Sequence, residues 1–229
     1  MFDTSYAGSA VWRSASQINE AMARVYKHMG LAVLTSMIVS LLVSSSPALM
    51  AFLFTGAMKW IVMFAPLVVI LVAGFAFDKM SKSTLTAFLH GFAALMGLSF
   101  SAIFVVYTAT SIFSAFMSAA VLFAVMSFYG YFTKRDLTSM GQFMFVGLIA
   151  IIIASIINIF IGSSVMTMVI SAVAIVIFLG LTAYDTQNIR NMVTMENDGK
   201  LEVLGALTLY MDFINIFLNL LQLFGGRNE

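Results

Sequence analysis

Gly180-Leu-Thr-Ala-Tyr-Asp-Thr-Gln187 ends one long apolar run, and Gly205-Ala-Leu-Thr-Leu-Tyr-Met-Asp-Phe-Ile-Asn-Ile-Phe217 lies inside the next. Each carries one aspartate, Asp185 and Asp212. A carboxylate in a membrane span costs about 2.5–3.5 kcal/mol on insertion scales, so it belongs with a partner or a water-filled cavity. Between the two runs stands Asn197-Asp198-Gly199, the most turn-prone tripeptide in this half of the chain. In an antiparallel helical hairpin, residues equidistant from the turn lie at one height. The point midway between 185 and 212 falls between Asp198 and Gly199. The two carboxylates are therefore expected level with each other, facing or nearly so.

The rest of the chain sets the class. Hydrophobic residues make up 62% of 229 positions, charged residues only 9%, and mean hydropathy is +1.03. A soluble domain is about a quarter charged. Several runs of about 20 apolar residues make this an all-α polytopic membrane protein, not a barrel of short segments with alternating polarity. There is no cysteine, which excludes disulfides and thiol chemistry. Net charge is +1 with no basic run, so nucleic acid is not an expected partner. No phosphate-binding glycine loop, nucleophile elbow or His-Glu zinc spacing occurs. The expectation is a protein that is not an enzyme and has no resident cofactor.

Residues 1–28 carry Arg13, Glu20, Arg24 and Lys27 among spaced apolar residues. They read as a cytoplasmic tail and an amphipathic surface helix, with Arg24 and Lys27 forming a solvated face rather than a lipid contact. Residues 29–229 read as a single transmembrane domain, with spans near 29–46, 60–77, 85–107, 111–132, 141–161, 165–187 and 203–224. With seven spans the loops alternate sides. Arg13, Arg24, Lys27, Lys79, Lys82, Lys134, Arg135, Arg190 and Lys200 then share one side, and Lys59 and Arg227 the other. That asymmetry puts the N-terminus in the cytoplasm and the C-terminus outside. Ala93, Gly97 and Ser101 form a small-residue stripe in the third span, and Ala87 and Gly91 a similar pair one face round. Packing inside one subunit is the plainer reading of both. Pro66 is expected to kink the second span.

In the last span Gly205, Thr208, Asp212, Asn215, Asn219 and Gln222 recur at spacings of three and four, so they share one stripe of the helix. An acid and three amides cannot face lipid unpaired. The stripe is either a hydrogen-bonded structural seam or a polar path lined by acceptors. The two aspartates have three readings: structural hydrogen bonding, binding or passage of cations or protons, or the dyad of an intramembrane aspartyl protease. Two close carboxylates share protons and titrate as a coupled pair. Calcium favours carboxylate oxygens and would compete for that site, which makes Asp185 and Asp212 the candidate metal ligands. His90, in span three, is a candidate titratable group but more commonly such a residue is packed and hydrogen-bonded. Asn158 reads as an interhelical hydrogen-bonding group.

The segments 180–187 and 204–218 resemble the C-terminal signature of the Bax inhibitor family, in its bacterial branch. The resemblance implies seven helices with the last one central and wrapped by the other six, in the bacterial inner membrane. It implies that a pair of aspartates, by position Asp185 and Asp212, senses pH and controls a calcium or other cation leak. Protonation of the pair is expected to relax the cytoplasmic end of the seam and admit ions. It also implies a basic residue in helix two that locks the closed state. The stretch 60–77 has none, leaving Lys79, Lys82, Arg190 and His90 as possible gating partners. Other bacterial relatives act as modulators of a membrane-bound protease, which makes such a complex the alternative partner beside the lipid bilayer. The aspartyl-protease reading has Tyr184-Asp185 in its favour. It lacks the glycines before Asp212, and Pro47-Ala48-Leu49 precedes both acids instead of following them.

Overall fold

The computed structural model describes residues 13–195, 198–226 and 228; the tail residues 1–12, Asn197 of the predicted turn and Arg227 of the outer-side charges lie outside them. Among the described residues every regular element is helical: α1 Ala15–Ser44, α2 Pro47–Phe54, α3 Met58–Gly74, a 3₁₀ turn Phe77–Lys79, α4 Lys82–Phe100, α5 Ile103–Val106, α6 Ala109–Phe132, α7 Thr138–Ile161, α8 Ser164–Met195 and α9 Gly199–Phe224. Among the described residues six segments are long and apolar enough to cross a membrane, α4 and α5 counting as one, and the bent pair α2–α3 makes a seventh if it is one span.

Local chemistry sets the helix starts. Ser14 and Gln17 close a capping box on α1, and Ser46 caps α2 with Pro47 in its first turn. Ser81 and Thr108 accept from Thr84 N and Ser111 N, and Asp198 accepts from Lys200 N. Gly162, at φ 69°, ends α7 in the left-handed conformation and lets α8 begin two residues later. Asn158 braces that link, donating to Ser163 O and Thr167 Oγ1 and accepting from Ser163 N.

Helix α9 is the axis, with fourteen buried residues in its 26. Helices α1, α4, α6 and α8 pack directly on it, while α3 and α7 are carried by α4 and α8. Edge-to-face contacts of Phe116 and Phe123 with Phe213 and Phe217 fill the α6–α9 contact. The outer helices show their large apolar side chains to the perimeter; α7 buries only Gly141. Such surfaces gain nothing by packing on each other in lipid, so close approach falls to small residues. A Cβ on Gly97 would stand 2.6 Å from Ser36 O of α1, and one on Gly130 would strike the Ala183 carbonyl of α8. Ser36 also donates to Ala93 O and meets the buried Tyr210 hydroxyl at 2.7 Å, tying α1, α4 and α9 together. The Ala93–Gly97 stripe is thus an internal contact, whereas a Cβ on Gly91 would meet nothing within 4 Å.

Pro66 lies inside α3, which runs unbroken from Met58 to Gly74; the 77° bend of this segment precedes it, between Phe54 and Met58, where Gly56 takes φ 57°. Proline leaves the carbonyl four residues back without its N–H, here Val62 O, and Ser99 Oγ of α4 donates to it at 2.7 Å. The span expected near 60–77 is α3 itself, Met58–Gly74, with the short helix α2, Pro47–Phe54, set at an angle before it. One expectation needs correction: residue 28 is no boundary. Helix α1 is continuous through it, and Ala21, Met22 and Val25 are buried in the core rather than laid on a surface.

Candidate functional site

Helices α3, α7, α8 and α9 enclose a cavity of about 980 Å³. Asp185 of α8 and Asp212 of α9 both line it, and their carboxyl groups meet within hydrogen-bonding reach of each other. A hydrogen bond between two carboxyls requires a proton on one of them, because an ionised carboxylate only accepts. Asp212 is 4% exposed and its Oδ2 has no hydrogen-bond partner. Thr182, one turn before Asp185, adjoins Asp212 while donating to Phe178 O at 2.7 Å.

Close backbone approaches hold α8 in this register. Gly205 of α9 sits where a Cβ would meet Ile189 of α8 at 2.8 Å, and Gly141 of α7 leaves room for the Tyr184 ring. Behind the pair, Thr186 and Ser127 hydroxyls meet at 2.9 Å, and Ser127 meets Tyr26 at 2.6 Å, joining α8, α6 and α1.

The polar stripe of α9 divides. Thr208, Asp212, Asn215 and Asn219 line the cavity, whereas Gln222 lies past it and accepts from Ser171 of α8 at 2.8 Å. Asn215 and Asn219 each donate to the carbonyl four residues back, Met211 O and Asn215 O, at 2.8 Å. Those bonds satisfy one donor inside the helix and leave the amide oxygens as acceptors. From Asp212 to Asn219 the stripe climbs about 10 Å at 1.5 Å per residue. No Lys, Arg or His lines the cavity among the described residues.

The four basic candidates lie elsewhere. Arg190 donates to Tyr131 O and stacks on the Tyr131 ring at 5.0 Å. His90 Nδ1 meets Thr35 Oγ1 at 3.2 Å, a packed hydrogen-bonded position. Lys82 turns to Glu202, and Lys79 ends the 3₁₀ turn on the exposed surface. None has a hydrogen bond or ion pair to Asp185 or Asp212 among the described residues. Pro47-Ala48-Leu49 opens α2, which contributes nothing to the cavity wall.

The family model described as "Inhibitor of apoptosis-promoting Bax1" matches residues 18–229. The chain belongs to the Bax inhibitor family. Among its relatives in that family, the inner membrane protein YbhL of Escherichia coli K12 is 41% identical over 213 residues, 90% of this chain and 91% of its own. An uncharacterized protein of Rickettsia prowazekii is 39% identical, covering 91% of this chain and 90% of its own. An uncharacterized membrane protein of Streptococcus pyogenes is 39% identical, covering 93% and 94%.

One charged group of this Bax inhibitor family chain escaped the sequence reading. Glu202, in the first turn of α9, is 2% exposed and accepts from Nε and Nη2 of Arg24 at 2.9 and 2.8 Å. Lys82 reaches it at 3.5 Å and Arg13 at 3.9 Å. From sequence, an acid in a first helical turn is a favourable dipole partner facing water. Its true partners lie 178 and 120 residues away, and no local signal names them.

Proposed function

We propose that this protein is a pH-sensitive cation leak of the bacterial inner membrane, with calcium as the permeant ion and the Asp185–Asp212 pair as its gate. The reading puts the N-terminus in the cytoplasm and the C-terminus outside, and it involves no bond chemistry and no resident cofactor. One observation carries it: two carboxyls within hydrogen-bonding reach of each other line a cavity that has amide acceptors further along and, among the described residues, no cationic side chain. Calcium takes six to eight oxygens. Asp185 and Asp212, with Asn215 and Asn219, supply some of them, and water completes the shell of an ion in passage.

The contact between the carboxyls supports the opposite sign from the one expected from sequence. With one shared proton the pair carries a single negative charge and ties α8 to α9. Loss of that proton leaves two facing anions in a poorly solvated place, and either separation or a cation relieves them. Among the described residues the titratable groups facing the cavity are Asp185, Asp212 and Tyr184. Leak therefore rises with pH rather than falling.

The test is calcium uptake into liposomes holding the purified protein at pH 6 and pH 8, beside Asp185→Asn and Asp212→Asn. An asparagine amide donates to the remaining carboxylate in place of the shared proton, so either variant stays low and flat across that range. Wild-type flux no greater than in empty liposomes at both pH values removes the leak. A non-transporting modulator of a membrane-bound protease is then the reading to pursue, by pull-down through residues 1–28.

A further inference from the structure

The cavity that ends at Asp185 and Asp212 is walled with hydrocarbon over most of its depth and reaches the lipid-facing perimeter. Leu67 of α3 and Phe145, Val146 and Ile152 of α7 line it, and the same four side chains are exposed on the outside of the molecule. Helix α3 is held by α4 and α7 by α8, so the two stand as separate posts on either side of the polar stripe of α9. A bare inorganic ion gains nothing from such a mouth, because Leu, Phe, Val and Ile offer it no oxygen.

We infer that this cavity is a binding site for an amphiphilic amine, an alkyl chain bearing one ammonium head, which enters from the bilayer between α3 and α7 and seats its head on the Asp185–Asp212 pair. The inference rests on the same reading of the pair as a cation acceptor that underlies the proposed leak. The volume, about 980 Å³, lies at the upper end of small-molecule sites, which are mostly apolar with a few placed polar groups. The head finds complementary charge and no competing cation, since no Lys, Arg or His lines the cavity among the described residues. An ammonium has three donors. The lining offers it the Asp185 and Asp212 carboxyls, the latter with a buried Oδ2 that has no partner in the protein, and the Asn215 amide. The chain then lies along α3 and α7, whose walls are as apolar as the lipid it leaves. A phosphate-headed lipid would bring a second negative charge to two acids, and a neutral alcohol would leave the carboxylate charge uncompensated.

The test uses the full chain in phosphatidylcholine nanodiscs and tritiated dodecylamine as the probe, with dodecanol and propylamine as unlabelled competitors. Expected is saturable binding that dodecylamine displaces at least about tenfold more effectively than either competitor, as a charge-assisted head contact requires. The Asp185→Asn/Asp212→Asn double variant, checked by its melting temperature, loses the saturable component. Leu67→Trp, at the lipid-facing rim, slows association and leaves the pair intact; it decides the matter if the double variant does not fold. Equal displacement by dodecanol, unchanged binding to the folded double variant, or an association rate indifferent to Leu67→Trp overturns the proposal. Calcium uptake into liposomes is read separately on the same protein. Amine binding without calcium flux retires the leak and keeps this site, whereas flux without saturable amine binding does the reverse.

Discussion

Replacing Glu202 with glutamine removes the one negative charge that α9 offers to α1 and α4 in this ion cluster. Breaking a buried ion pair costs about 3–5 kcal/mol when an uncompensated charge stays buried. Glu202→Gln does not leave that situation. Arg24 and Lys82 lose their shared partner, but their side chains are 43% and 50% exposed and can be rehydrated, and Arg13, 7% exposed and 3.9 Å away, has a further interaction of its own. The loss is then that of the charge-assisted hydrogen bonds, about 1.5–3 kcal/mol. Arg24→Ala is the harsher change, because it strands a carboxylate that is 2% exposed with only the longer contacts to Lys82 and Arg13. Its cost is expected at the foot of the buried-pair range, about 3 kcal/mol. The double variant should be no less stable than Arg24→Ala alone, since the stranded charge is gone. Unfolding in mixed micelles across a denaturing-detergent titration measures all four corners of the cycle. Glu202→Gln proving worse than Arg24→Ala would refute the reasoning, as would additivity within about 0.5 kcal/mol.

Gly130→Ala places a methyl on the Ala183 carbonyl, so α6 and α8 must separate; overpacking of this kind costs about 1–3 kcal/mol and should lower the melting temperature, while Gly91→Ala, which meets nothing, should not. Ser99→Ala leaves Val62 O without its donor beside Pro66; an unpaired buried carbonyl costs about 1–3 kcal/mol, and amide exchange in α3 should quicken while that in α9 stays slow. Asp136 accepts from both Thr138 N and Thr138 Oγ1, at 2.9 and 2.6 Å, which holds its carboxyl below the ordinary value of 3.8. Because the folded value is the depressed one, its contribution is complete above about pH 4 and fades as pH falls through the folded value. Protection factors of the amides at the start of α7, referred to the intrinsic rate at each pH, should therefore fall in acid in the wild type and be low at every pH in Asp136→Ala.

The hairpin that brings Asp185 to Asp212 was legible because it depends on two local facts, a turn signal and equal chain length on either side of it. The stripe of α9 was legible for a similar reason: helical periodicity survives any environment, and only the sign of the polarity pattern is reversed in lipid. What failed was long-range pairing. Glu202 looks like any acid in a first turn until Arg24 and Lys82 are seen beside it, and hydropathy carries no record of which helices touch. Pro66 is instructive. The rule that proline frees a carbonyl held, but the neighbour that absorbs it, Ser99, sits 37 residues away on α4, and the helix continues through the proline. The actual bend is made at Gly56, whose φ of 57° a glycine adopts without strain.

These contacts also locate the part of the molecule with freedom to move. Helix α9 is tied at its start through Glu202 to α1 and α4, and about 15 Å further along, ten residues on at 1.5 Å each, through Asp212 to α8. Tyr210 adds a third tie to Ser36 between them. A helix pinned at three heights with fourteen buried residues is a poor candidate for a moving gate. Helix α3 is the contrast. It buries only Val62, Pro66 and Ala73, follows a sharp bend, and has a single side-chain hydrogen bond to its neighbour α4. Local opening is drawn from elements with few buried contacts, and α3 forms one wall of the cavity that the aspartates face. Under the proposed leak, a change of charge at the pair has its cheapest mechanical outlet in displacement of α3, with α9 serving as the fixed post against which it swings.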